Sequence, residues 1–334
     1  MTTTAGRETA GLHGLLLRLA GRIPDGLLTE SRRWLAAGEA AEVRAAVTNA
    51  LLTGNIPVTV ADAERLGGGV PVGGVAPQAH AFSPFGPGVP SDGLPYSLDL
   101  TRPWDGPGGL DGLDRAAVAA VEKHAGVRGL WRSWRYPARE TRWPPPKRVH
   151  LVLVGDDPVA VAAVVQAALA AAGERDPQVE AYGAGDEVSD YQHTALTYSA
   201  LLWSSAPTEP LRSARLYDRL GPDGRPGFAD GHPVLADAMR DRVLDYLNAG
   251  VPVLVSPDLT ADVVEPGRGA AVPMSFRTDG RWVWAEGSAY YLAEYSLAPE
   301  PDLLADIAAA GFRVPEVDDV SLHRVLHHLY AGAR

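Results

Sequence analysis

Between Gly67 and Gly112 the chain carries 12 glycines and 8 prolines in 46 residues. Residues that lack a side chain or a backbone donor cannot sustain helix or central-strand pairing over such a length. The stretch therefore separates two patterned halves and predicts a long irregular connection rather than a third core. Phe82, Phe85, Tyr96 and Trp104 lie within it. A mobile linker carries fewer aromatics, so an ordered loop draped over another surface is expected.

Before the connection, Leu12, Leu15, Leu16 and Leu19 recur at helical spacing and Gly21 closes the pattern. Thr29 is placed to cap a second helix carrying Trp34, Leu35, Val43, Val47 and Leu51, with Gly38 interrupting it. Thr59 with Asp62 opens a short third helix through Leu66. Residues 1–66 read as a helical N-terminal unit, and residues 67–148 as the connector with a basic, aromatic end. Within that connector Asp111 or Asp114 caps a helix running to His124.

Residues 149–334 read as an α/β domain. Val149–Val154 is a short apolar run ended by Gly155, and Pro158 sits in the first turn of an Ala/Val-rich helix. Val179–Tyr182 reads as a second strand, Tyr191–Trp203 and Leu235–Asn248 as helices, and Val251–Val255 as a buried strand. Strands alternating with helices predict a parallel or mixed sheet with flanking helices. Val272–Phe276 and Trp282–Trp284 flank an Asp279-Gly280 turn, which predicts a β-hairpin. Ser288–Tyr295, Pro301–Ala310 and Ser321–Tyr330 read as closing helices. The fold class is α/β.

Composition narrows the functional classes. At 334 residues the chain suits two structural units, and 46% apolar residues can bury a sizeable core. There is no cysteine, so disulfides, thiolate metal sites and cysteine nucleophiles are excluded. No apolar run approaches the length of a membrane span, and no membrane partner is expected. The first seven residues lack the pattern of a signal peptide, which points to the cytoplasm. A net charge of −11 argues against nucleic acid as a partner.

That charge is unevenly laid out. Residues 126–149 hold seven cations (Arg128, Arg132, Arg135, Arg139, Arg142, Lys147 and Arg148) against Glu140, leaving −17 for the rest. Trp131, Trp134, Tyr136 and Trp143 are interleaved with them, and Pro144–Pro146 close the segment as a stiff extended run. Guanidinium groups beside indole faces suit phosphate, nucleic acid or an acidic protein surface. They equally suit an internal role, with arginines pairing with the acidic remainder and tryptophans pinning the connector. The internal role has the abundance of acids in its favour.

Chemistry-bearing motifs are weak. Gly155 leads to Asp156, Asp157 and Pro158, where two acids repel phosphate and proline removes a donor, and neither lysine lies in a glycine-rich turn. No Gly-x-Ser-x-Gly elbow occurs. His323 and His327 share a helix face beside His328, but a metal site needs more ligands, so no metal is expected. Asp186, Glu187 and Asp190 before His193 read as charges at a helix start. No catalytic residue and no cofactor are expected from these patterns.

The hairpin region is denser in aromatics than the chain's 7% average, and Trp282 and Trp284 share one strand face. Trp, Tyr and Arg together favour protein interfaces. Gly250–Val255, then VPMSFRTDGRWVW and AYYLAEYSLAPEPDLLADI, resemble C-terminal segments of a group of actinobacterial proteins, some suspected of immunity or accessory roles. The likeness covers roughly the last 85 residues and transfers no catalytic motif. The expected function is a non-catalytic cytoplasmic interaction factor that binds a protein partner through Trp131, Arg132, Trp134, Arg135, Arg281, Trp282 and Trp284. Self-association stays open. The alternative is a small-molecule or nucleotide-handling enzyme with its site at strand carboxyl ends near Gly155, Gly183 and Ser256.

Overall fold

The computed structural model describes residues 4–74, 80–90, 93–138, 144–183, 185–221 and 224–332. The chain divides between Pro207 and Thr208 into two compact units.

The first unit opens with helices α1 (Thr4–Arg18), α2 (Asp25–Ala36), α3 (Ala40–Gly54) and α4 (Val60–Arg65). Gly38, at φ +81°, breaks the expected long second helix into α2 and α3. That helix also begins earlier, at Asp25, which places Thr29 inside α2 rather than at its cap. The Thr59 cap of α4 forms as read, accepting from the Asp62 amide. The connector then supplies β1 (His80–Ser83) and β2 (Leu98–Asp99), followed by α5 (Gly112–Val121), capped by Asp111. Next come β3 (Val127–Pro137), β4 (Lys147–Val154), α6 (Pro158–Ala171), β5 (Gln178–Gly183), α7 (Asp190–Thr197) and β6 (Ala200–Ser204).

These strands form one six-stranded sheet in the order β2-β6-β3-β4-β5, with β1 also paired to β3. One edge of β3 is occupied by β4, and the other by β6 along Gly129–Arg132 and then by β1 along Trp134–Pro137. The β4–α6–β5 unit is parallel, and β3 is antiparallel to each of its three partners. Residues 200–204, expected to continue the helix from Tyr191, instead form β6. They are pulled into extended pairing by β3 and β2. On one face Val152, Val154, Val179 and Ala181 pack with Ala117 and Val121 of α5 and Val161, Val165 and Leu169 of α6. Between them Glu180 turns to the opposite face, where Arg32 of α2 and Gln192 of α7 meet its carboxylate at 2.7 and 3.1 Å.

The second unit contains β7 (Arg212–Ser213), β8 (Arg219–Leu220), β9 (Pro226–Gly227), α8 (Asp237–Ala249), β10 (Val251–Leu254), β11 (Leu259–Ala261) and β12 (Ala270–Pro273). It closes with β13 (Phe276–Thr278), β14 (Trp282–Ala285), α9 (Gly287–Tyr295), α10 (Pro301–Ala309) and α11 (Asp319–Gly332). Its sheet runs β10-β13-β14-β7, beside the ribbons β11-β12 and β8-β9. Val243, Tyr246 and Leu247 of α8 close over Trp282, Trp284, Leu292, Leu303 and Ile307. A hairpin forms around Asp279-Gly280, but its first strand is Phe276–Thr278 rather than the expected Val272–Phe276; Val272 lies in β12, which pairs with β11 instead. The strand after Gly250, read as buried, lies at a sheet edge and is partly exposed.

The α/β class matches the sequence reading. The contact-defined boundary differs from the expected three parts at 66 and 148. The reason is the central place of β3: connector strands pair beside it, and the N-terminal helices close on the sheet it organises. Among the described residues, no helix is long and apolar enough to cross a membrane.

Candidate functional site

The basic, aromatic stretch lies inside the first unit as β3 and the start of β4. Alternation sends Trp131, Ser133 and Arg135 to one face and Arg132 and Trp134 to the other. On the first face Trp131 is fully buried and Ser133 donates to the Tyr198 carbonyl at 2.7 Å. Arg135 there meets the Asp25 carboxylate at 2.7 Å and the Tyr191 hydroxyl at 3.3 Å. On the second face Arg132 pairs with Asp114 and donates to the Gly108 carbonyl at 2.6 Å. Arg148 reaches Asp111 at 2.8 Å and Asp114 at 3.1 Å, with its guanidinium 4.8 Å from the Trp134 ring centre.

The acids are held by their own helix start: Asp111 caps α5 and Asp114 reciprocates, so both carboxylates project from one turn toward the sheet. The Arg148 guanidinium holds Asp111 far below the usual carboxylate range. Burial pushes Asp114 up, but His150 and the two guanidinium groups outweigh it and hold Asp114 low as well. His150 is buried, 3.7 Å from Asp114, and burial drives it toward its neutral form. Expected as partner-binding, Trp131, Arg132 and Arg135 are therefore buried, the two arginines bonded within the unit, and Trp134 is half-buried. The internal role is the one the geometry shows. Arg139, Arg142 and Trp143 lie outside the described residues.

Trp282 and Trp284 share a face as read, yet both are buried rather than presented to solvent. Their indole N–H groups donate to Asp306 at 2.7 Å and to the Leu247 carbonyl at 3.2 Å. Arg281, at the hairpin tip, is the exposed member of the set and lies 3.8 Å from Glu209. The histidines near the C-terminus do not combine into a metal site: His323 is buried, His328 meets the Ser213 hydroxyl, and the described residues hold no metal-binding cluster of three or more such ligands.

The strand ends are also tied up internally. β4 and β5 finish side by side at Val154 and Gly183. The Gly155 amide donates to the Gly126 carbonyl at 2.7 Å, and the Gly183 amide donates to Asp186 at 2.7 Å. Asp157 bends its carboxylate back to the Ala160 amide, so an acid occupies the start of α6 where a phosphate would sit. Ser256, grouped with these glycines from the sequence, belongs to the second unit and a different sheet edge.

The surface feature missed by sequence reasoning is an open groove of about 710 Å³ in the second unit. Ala249 and Val251 form one wall, residues 312–317 the other, and Tyr246 lies between. Tyr246 donates to Asp279 at 2.6 Å and packs on Trp284, with ring centres 6.0 Å apart. Burial, and then the Asp279 carboxylate, push its hydroxyl far above the ordinary tyrosine value. The far wall begins where α10 ends in a Schellman-type turn: Gly311 has φ +64° and the Phe312 amide returns to the Ile307 carbonyl at 3.0 Å. Phe312 itself is left-handed at φ +61°, a strained state for an aromatic residue, with the Arg242 guanidinium 3.7 Å from its ring centre. Asp245, Arg313 and Glu316 add charge to the lining. Trp284 of the hairpin thus backs the groove through Tyr246. Only the apolar spacing Phe312-x-Val314-x-x-Val317 hinted at it in the sequence.

Comparison of the chain with family models, with curated proteins and with solved structures gives no match.

Proposed function

We propose that this protein is a non-catalytic binding factor that takes a protein partner on its second unit, along the groove walled by Val251 and residues 312–317. The observation carrying this reading is the groove itself: an open apolar trough with charges in its lining and a strained Phe312 at its edge. An aromatic held in a costly backbone state next to a concave apolar surface is the arrangement expected of a recognition site. Val255, Leu259 and Met274 are further exposed apolar residues of the same unit. An immunity or accessory role, implied by the likeness of the C-terminal segment, is one form of this reading.

The test is a site-specific photo-crosslinker at Pro315 in the full chain, used in extracts of the native host. One discrete partner at near-stoichiometric yield is expected. Val314→Asp together with Val317→Asp should weaken its binding about 30-fold, the effect of losing a central interface residue, with the circular dichroism spectrum unchanged. Equal capture by the double variant would overturn the assignment of the groove.

A further inference from the structure

The first unit holds a second concavity, of about 160 Å³, between α1, α3 and α4. Its lining is unusual for a chain of net charge −11: Arg7, Arg44 and Arg65 against one acid, Glu8. Gly11 is what makes room for Arg65. A Cβ on Gly11 would stand 2.9 Å from Arg65 Nε, so the missing side chain makes the cradle in which that guanidinium lies. Arg65 is steadied by Asp62 at 3.0 Å, and its carbonyl accepts from Arg44 Nε at 3.2 Å. Arg44 also pairs with Glu8, both side chains being about one-third exposed. Among the described residues, Arg7 has no ion-pair partner.

We propose that this concavity is a binding site for a phosphate group, either free or as a small monoester. Three planar guanidinium forks around one pocket match the oxygens of a tetrahedral dianion, and arginine recognises phosphate through paired N–H donors. The volume is that of about five waters, enough for a phosphate and a short organic stem. Glu8 is an internal competitor: a bound dianion displaces its carboxylate from Arg44, which is easy for a partly exposed pair. The site thus carries a signature that non-specific charge attraction lacks. Removing Glu8 improves it, whereas removing Arg7, which breaks no internal pairing, weakens it.

The experiment is titration calorimetry on the full chain with inorganic phosphate and with phenyl phosphate, alongside sodium chloride at matched ionic strength. Saturable binding of one phosphate per chain is expected, at least tenfold weaker in Arg7→Ala and several-fold tighter in Glu8→Gln. Preference for phenyl phosphate assigns the site to monoesters, and equal or weaker binding assigns it to the free ion. The proposal is overturned if Arg7→Ala binds as the wild type does, or if matched sodium chloride reproduces the heat.

Discussion

At the residue scale, what decides the behaviour of this chain is where its arginines end. Arg132 is 2% exposed and Asp114 is fully buried, so each charge depends on the other for the solvation it has lost. Removing one partner of such a pair leaves an uncompensated buried charge. Asp114→Asn is therefore expected to cost about 3–5 kcal/mol in urea unfolding, whereas truncating the exposed Arg33–Glu30 pair should cost less than about 1 kcal/mol. The same variant tests the acid limb. Asp111 and Asp114 are both held below the usual carboxylate range, so their contribution is full above that range and is lost as pH falls through the folded values. Wild-type stability should fall steeply between about pH 5 and pH 2, and the Asp114→Asn profile should be shallower there. Parallel profiles would show that the network is not what acid disrupts.

At the element scale, legibility follows the range of the forces involved. Local signals were readable: the Thr59 and Asp111 caps, Pro158 at the start of α6, the leucine stripe of α1 and the Asp279-Gly280 turn all act within a few residues. β3 was only half readable: the acidic excess favoured an internal role for its arginines, but their partners Asp114 and Asp25 arrive from 18 and 110 residues away. The same holds for β1 and β2, whose short pairings depend on β3 and β6 rather than on their own sequence. The candidate site divides similarly. Its supporting aromatics stood out by composition and the apolar spacing of Phe312, Val314 and Val317 hinted at one wall, but the left-handed backbone of Phe312 after Gly311 is not written in that spacing. A further joint is checkable. Gly250 ends α8 where the Trp284 indole passes so closely that a Cβ would fall inside it. Gly250→Ala should cost about 1–3 kcal/mol through overpacking and shift tryptophan fluorescence, because Trp284 must move. An unchanged spectrum and melting temperature would mean that the helix–strand joint tolerates what the geometry forbids.

At the scale of the whole molecule, each of the two units closes its own hydrogen-bonded sheet. The first sheet uses strands between His80 and Ser204, and the second uses strands between Arg212 and Ala285. Each also has its own buried cluster, one around Val152, Val165 and Ala181 and the other around Tyr246, Trp284 and Ile307. Both pieces fall within the size range of independently folding domains. Residues 205–210, which contain the junction, are exposed and belong to no helix or strand. Exposed backbone outside regular pairing is where a protease cuts without first unfolding a core. Limited proteolysis should therefore cleave first within 205–210 and leave two resistant fragments. Expressed separately, residues 1–207 and 208–334 should each unfold cooperatively in urea. The denaturant dependence should be larger for the first fragment, because it exposes more surface on unfolding. A second fragment that stays unfolded alone would show that its core, despite Trp282 and Trp284, needs the first unit to form. The partner groove would then have to be tested only in the intact chain.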